Sequence, residues 1–340
     1  MATLDTDARS DVSTSYPGWL RRFILTKELA LFILLLVVIG FVMTQTQTAR
    51  QPRVYFDLIQ EVSPNVIAAV GVAMLMLAGE FDLSVGSMLA FTGVTTIVVF
   101  NETDSMWLGI IAGIATGPLI GGIHGYLVTV QGMNSLMTTL GSLFALRGVV
   151  YIYTNQTPIT DQNRFDAFQN LYHEDVVLFG TKIIPVPALI ALVLVISFHL
   201  VLTQTEFGRQ IYAIGGNETA ARVSGIRVGR VKFILFILGS TTAAFAGLLL
   251  AAQTSSGYFD AGRGFELAVI AAVVLGGVSL AGGQGGLIGA LLGVLILGMS
   301  SKGLRLMRIN TNWQLVITGT VMGIAVYLHD IRNRIERLRR

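Results

Sequence analysis

Across residues 29–330 the chain is a succession of apolar runs with polar breaks between them. About ten can be marked, at roughly 29–44, 63–79, 83–100, 107–131, 133–154, 183–203, 232–252, 266–280, 286–303 and 312–330. A helix needs roughly 20 apolar residues to cross the hydrocarbon core of a bilayer. Lipid offers no water to the backbone N–H and C=O groups, so such runs must become helices. Charge agrees: only 13% of the 340 residues are Asp, Glu, Lys or Arg, where a soluble domain carries roughly 25%. Mean hydropathy is +0.69. The expected fold is an all-α polytopic membrane protein of about ten transmembrane helices. Several segments fall short of a full span, which implies tilted, broken or re-entrant pieces.

Sidedness follows from Lys and Arg in short loops, which favour the cytoplasmic face. Residues 1–28 carry Arg21, Arg22 and Lys27 and read as a cytoplasmic tail. Asn101–Ser105 holds Glu102 and Asp104 and no cation, and 155–182 holds Asp161, Asp166, Glu174 and Asp175 against Arg164 and Lys182. Both read as outside. The loop 204–231 carries Arg209, Arg222, Arg227 and Arg230, and 331–340 carries Arg332, Arg334, Arg337, Arg339 and Arg340 against Glu336. Both read as inside. A membrane domain over 29–330 with both termini in the cytoplasm fits these loops. Arg50 and Arg53 dissent, as do Lys302, Arg305 and Arg308, which then lie outside.

Several chemistries are absent from the sequence. There is no cysteine, hence no thiol nucleophile, thiolate metal site or disulfide. The four histidines, His124, His173, His199 and His329, form no HExxH. Gly282-Gly283-Gln284-Gly285-Gly286 suggests a phosphate loop, but no Gly-Lys pair occurs anywhere in the chain. ATP and magnesium, if they drive this protein, belong to another chain. Glycines at 109, 113, 117, 121 and 125 line one helix face and allow close helix packing, and Gly285, Gly289 and Gly293 repeat the device.

The basic stretch Gly208–Arg230 is organised around a short helix. Gly215 and Gly216 lead into Asn217, whose side chain suits an N-cap. Glu218 falls in the first turn, where the helix dipole favours an anion. Ala220, Ala221, Arg222 and Val223 follow, and Gly225 stands where a left-handed residue past the C-cap is wanted. Two turns do not hold in water unaided, so a surface helix of this size is expected to dock into a partner, with Arg222 and Arg227 available to its acids.

Other polar residues admit two readings each. Asp82 either N-caps the following helix or, with Glu80, lines a translocation route, since acids at membrane depth tend to face cavities. Arg147 either snorkels to the interface or pairs with an acid inside the bundle. Asn134 caps a helix or, with Thr138, hydrogen-bonds a solute. Gln253 opens a polar run, Gln253–Ser256, at the end of one span, which is either a polar outer loop or an outer mouth for a neutral solute. Lys302, Arg305 and Arg308 recur at helical spacing and are either the solvated end of a helix or, on the outside, a face that could meet an acidic protein surface.

These pieces resemble the permease subunits of bacterial sugar ABC importers, of the ribose, xylose, arabinose and autoinducer-2 type. The resemblance lies in Phe81-Asp82-Leu83-Ser84-Val85-Gly86-Ser87, Gly132-Met133-Asn134-Ser135-Leu136, Arg147-Gly148, Ala213 through Arg222, and Leu275 through Gly283, and covers residues 57–330. It implies a multi-pass protein of the bacterial inner membrane, carrying a monosaccharide such as a pentose. It implies a second permease copy, ATPase subunits that hold ATP and magnesium, a periplasmic sugar-binding protein, no nucleic acid and no cofactor in this chain. It makes the central short helix the coupling helix that meets the ATPase, through Gly216, Asn217, Glu218, Ala220, Ala221, Arg222, Gly225 and Arg227. Where that family usually has glycine before Phe81-Asp82, this chain has Glu80. An ion-coupled secondary transporter is the alternative, with Glu80 as its titratable acid.

Overall fold

The computed structural model describes residues 27–162, 165–178 and 181–310, with residues 312, 313, 316, 319, 320 and 323. Eight helices among these are long and apolar enough to cross a membrane. They are α1 (Lys27–Gln45), α2 (Pro52–Leu77), α3 (Val85–Thr103), α4 (Met106–Thr129) and α5 (Ser135–Thr154), then α7 (Val186–Gln204), α10 (Val228–Thr254) and α12 (Leu287–Leu306). Four further helices are shorter: α6 (Asp166–His173), α8 (Glu206–Gly216), α9 (Glu218–Val223) and the apolar α11 (Phe265–Leu275). The expected segment 312–330 lies outside the described residues apart from the six positions named, as do the tails 1–26 and 324–340.

Helices α2, α3, α4 and α10 form the centre, and α1, α5, α7, α11 and α12 pack around it. Ile67, Met74, Leu75, Met88, Leu89, Ile97 and Phe236 fill the core. The glycine ladder on α4 explains the tightness. Gly109 and Gly113 lie against α3, whereas Gly117, Gly121 and Gly125 lie against the backbone and side chains of α10. The second ladder is shorter than expected. Gly289 and Gly293 in α12 pack on α11, but Gly285 sits in the preceding turn with φ +114°.

Several hydroxyls inside the spans are satisfied on their own helices. Thr95, Thr96, Thr129, Thr139 and Thr241 each donate to the carbonyl four residues back. This closes polar groups off from lipid without a partner helix.

One end of the bundle carries α6 and two small antiparallel pairings. Strand β1 (Ile159–Thr160) pairs with β4 (Ser256–Gly257), and β2 (Asp175–Leu178) with β3 (Thr181–Pro185). Asn101, near the end of α3, donates to the Thr160 carbonyl at 3.0 Å, so the two acidic loops share this end. The loop between α10 and α11 does not stay there. Gly257 packs on Gly93 and Val94, and Gly262 on Gly86. Gly86 lies 17 residues before the end of α3, about 25 Å along the axis at 1.5 Å per residue. The loop therefore re-enters the bundle, and α11 completes the crossing as a half-length helix.

Candidate functional site

At the opposite end, α8 and α9 form a platform. The sequence reading placed one short helix in loop 204–231, and the structure adds α8. Its signal was Phe207, Ile211 and Ile214 on one face, with Thr205 as N-cap accepting from the Gly208 amide at 3.2 Å. Gly215 and Gly216 are the last turn of α8 rather than a free lead-in. Asn217 caps α9, its side-chain oxygen accepting from the Ala220 amide at 2.9 Å. The other end closes as expected. Gly225 has φ +86°, its amide donates to the Arg222 carbonyl at 3.1 Å, and the Ile226 amide donates to Ala221 at 3.1 Å. This is the Schellman pattern. Ala221 faces inward, while Val223 is 85% exposed. Nothing in the sequence pattern singles out this exposed apolar side chain on a capped, polar helix.

The platform is fastened to the bundle twice. At the α8 end, backbone meets backbone: a Cβ on Gly215 would lie 1.9 Å from the Leu77 carbonyl oxygen and 2.4 Å from the Gly283 nitrogen. The Gly283 amide donates to that same carbonyl at 2.9 Å. At the α9 end the fastening is ionic. Lys232 Nζ lies 2.7 Å from Glu218 and 2.5 Å from Glu80, and Glu218 also accepts from Arg222 at 2.8 Å. The hydrogen bond from Lys232, with help from Arg222, holds the Glu218 carboxyl below its ordinary value against the opposing effect of burial. Glu80, Asn134, Gly216, Asn217, Glu218 and Arg222 share the walls of one cavity of about 1190 Å³. Arg227 lines a neighbouring groove with Gly225.

Most residues expected along a translocation route also have local partners. Glu80 pairs with Lys232 beside the platform. Asp82 is not the N-cap of α3, which is Ser84. Its carboxylate accepts from the Ser84 amide at 2.7 Å and hydroxyl at 2.6 Å, and it is 2% exposed. Its other oxygen lies 3.9 Å from His124, whose Nε2 is 2.7 Å from the Ser142 hydroxyl. Asn134 caps α5 by accepting from Leu136 at 3.0 Å and Met137 at 3.3 Å. Thr138 donates to the Asn134 carbonyl at 2.9 Å. Among the described residues Arg147 forms no direct ion pair, although Asp260 and Glu266 act on its charge. It donates to the carbonyls of Phe259 at 3.1 Å and Ala261 at 2.7 Å, while Tyr151 donates to Asp260 at 2.8 Å. These two side chains of α5 hold the re-entrant loop in place. Gln253 does front a cavity, of about 830 Å³, together with Thr254, Ser256, Tyr258, Asp260 and Arg263.

Two of the dissenting cations find an acidic partner. Lys302, at 3.3 Å, and Arg305 both pair with Glu61 of α2. Arg308 does not continue their face, because α12 ends at Leu306 and Arg308 turns left-handed with φ +57°. The single carboxylate of Glu61 thus pairs with two of the cations that dissent from the sidedness rule and neutralises one of their two charges.

The family model described as branched-chain amino acid transport system / permease component matches residues 54–326. The chain belongs to this family. Among its relatives, the ribose import permease protein RbsC of Escherichia coli strain K12 is 36% identical over 304 residues, 88% of this chain and 92% of that protein. The RbsC of Bacillus subtilis strain 168 is 36% identical over 305 residues, 89% and 92% of the two chains. The L-arabinose transport system permease protein AraH of Escherichia coli strain K12 is 37% identical over 276 residues, 81% and 82%. No solved structure matches the chain. This permease is thus a multi-pass membrane protein of helical architecture, and the resemblance read from its motifs holds over nearly the whole bundle.

Proposed function

We propose that this permease is the membrane-spanning subunit of an ATP-driven importer in a bacterial inner membrane, passing a monosaccharide inward. The observation that carries the reading is α9: a six-residue helix capped at both ends, with Val223 and Arg222 turned outward and its base tied into the bundle. Such a piece is built to receive force from another protein. ATP and magnesium are held by that protein. The permease relatives named for ribose and arabinose point to a pentose as cargo. Loop 204–231 faces the cytoplasm, with both termini on the same side. The acidic end, with its 830 Å³ cavity beneath the re-entrant loop, faces a periplasmic binding protein. Lys302 and Arg305 are engaged with Glu61, which leaves Arg308 as the cation of that trio without an ion pair among the described residues and available to meet it. A second permease copy, identical or related, completes the membrane part. The ion-coupled alternative loses its acid, because Glu80 is already paired with Lys232.

The test is uptake of labelled D-ribose and L-arabinose into vesicles holding the full chain together with the ATPase and binding protein encoded beside it. Uptake should require all three proteins and ATP. It should fall in Asn217→Ala, where loss of the cap costs α9 about 1 kcal/mol. Uptake by the lone chain driven by an ion gradient would refute the reading.

A further inference from the structure

Lys232 is shared by two carboxylates from different parts of the molecule. Glu80 Oε1 lies 2.5 Å from its Nζ, and Glu218 Oε2 lies 2.7 Å away. Side-chain exposure rises in order along the chain of charges: 9% at Glu80, 12% at Lys232, 43% at Glu218 and 69% at Arg222. The row thus runs from the wall of the bundle to the tip of α9. Two acids and two bases alternate along it, so no member is left with an unopposed charge, which a largely buried site would penalise. Its inner end is itself fastened. Glu80 lies in the link between α2 and α3, where the Phe81 amide donates to the Ser135 hydroxyl at 3.4 Å and the Leu83 amide to the Thr139 hydroxyl at 3.0 Å. Displacing α9 must therefore either break the row or drag residues 80–83, and with them the first turns of α3 and α5.

We propose that Glu80, Lys232 and Glu218 form an ionic relay that hands movement of α9 to the α2–α3 link, with Lys232 as its positioning residue. The inference rests on the reading of α9 as the coupling helix. The relay gives the permease a route into α3 and α5 besides the covalent route from α9 into α10. It also explains why a lysine sits one turn inside a membrane helix: it is held there by acids from both sides.

Two measurements test it with the full chain. The first uses the permease alone in detergent and reads amide hydrogen exchange in Lys232→Met and Glu80→Gln. Exchange should rise in α9 for Lys232→Met, and at Phe81 and Leu83 in both variants. A rise confined to α9 would overturn the relay whether or not an ATPase binds. The second uses vesicles with the partner ATPase and binding protein and labelled D-ribose. Lys232→Met should keep the ATPase bound and hydrolysing ATP, yet lose about tenfold in uptake, an ordinary coupling effect. Lys232→Arg should restore uptake. Unchanged uptake, or equal loss of hydrolysis and uptake, would overturn it. Failure of the wild-type chain to bind any ATPase would instead sink the coupling reading of α9, and the exchange result then decides the relay by itself.

Discussion

Gly121→Ala should destabilise this permease, and Gly122→Ala, one residue along the same helix, should not. A Cβ on Gly121 would lie 2.5 Å from the Phe236 carbonyl oxygen and 2.7 Å from Ile237 Cα, where ordinary contact begins at 3.4 Å. Both obstacles are backbone, so no rotamer change relieves them, and α4 must withdraw from α10 by about 0.9 Å. A gap of that size forfeits roughly a quarter to a half of each dispersion contact along the seam. Overpacking of this kind costs about 1–3 kcal/mol. A Cβ on Gly122 meets nothing within 4 Å. The gain in helix propensity, up to about 1 kcal/mol, is common to both substitutions. The separation between the two variants is therefore the overpacking cost itself. The assay is reversible unfolding in mixed micelles of rising denaturing-detergent fraction, followed by circular dichroism. Equal midpoints, or a Gly121→Ala protein that outlasts Gly122→Ala, would show that the α4–α10 seam is not as close as described.

Acid should loosen the platform. The folded state lowers the Glu218 pKa, so its contribution is complete above the ordinary value of 4.5 and is lost as pH falls below that, through the depressed value. A fluorophore on Thr219→Cys, in a chain with no other cysteine, should stay restrained from pH 7 to about 5 and gain mobility below; early loss of restraint would contradict the pairing. At the other end, burial and the nearby Glu61 push the Tyr172 phenol up to about 12. Stability linked to this group should be intact below pH 10 and fall as pH rises toward 12, and Tyr172→Phe should flatten that fall. Arg147→Met removes two charge-assisted hydrogen bonds to Phe259 and Ala261, so exchange in residues 258–262 should rise while α9 is unaffected; unchanged exchange would remove Arg147 from the latch.

Hydropathy was enough to read the helical class, most of the spans and the presence of short or re-entrant pieces. Local chemistry was enough for α9, because Asn217 and Gly225 act within a few residues of themselves. What escaped was every contact between distant segments. The partner of Glu80 escaped because nothing near it in sequence announces Lys232, 152 positions on. Arg147 looked like a snorkelling cation because its partners are backbone carbonyls, which have no residue type. The start of α2 at Pro52 rather than near residue 63 escaped for a related reason: Arg53, Asp57 and Glu61 interrupt the apolar run, yet they lie on the same continuous helix. The missed α8 was legible from its Phe207, Ile211, Ile214 face, and only its basic setting hid it.

The junction of Gly215, Gly283 and the Leu77 carbonyl has a consequence for how such a machine can vary. Three stretches far apart in sequence touch there with no side chain between them. A joint made of bare main chain has no dial: nothing larger than hydrogen fits, so substitution cannot make it softer or stiffer by degrees. Differences in compliance between this permease and its relatives must then be written elsewhere, in the charged hinge-pin beside it, where length, sign and number of side chains are all open to change.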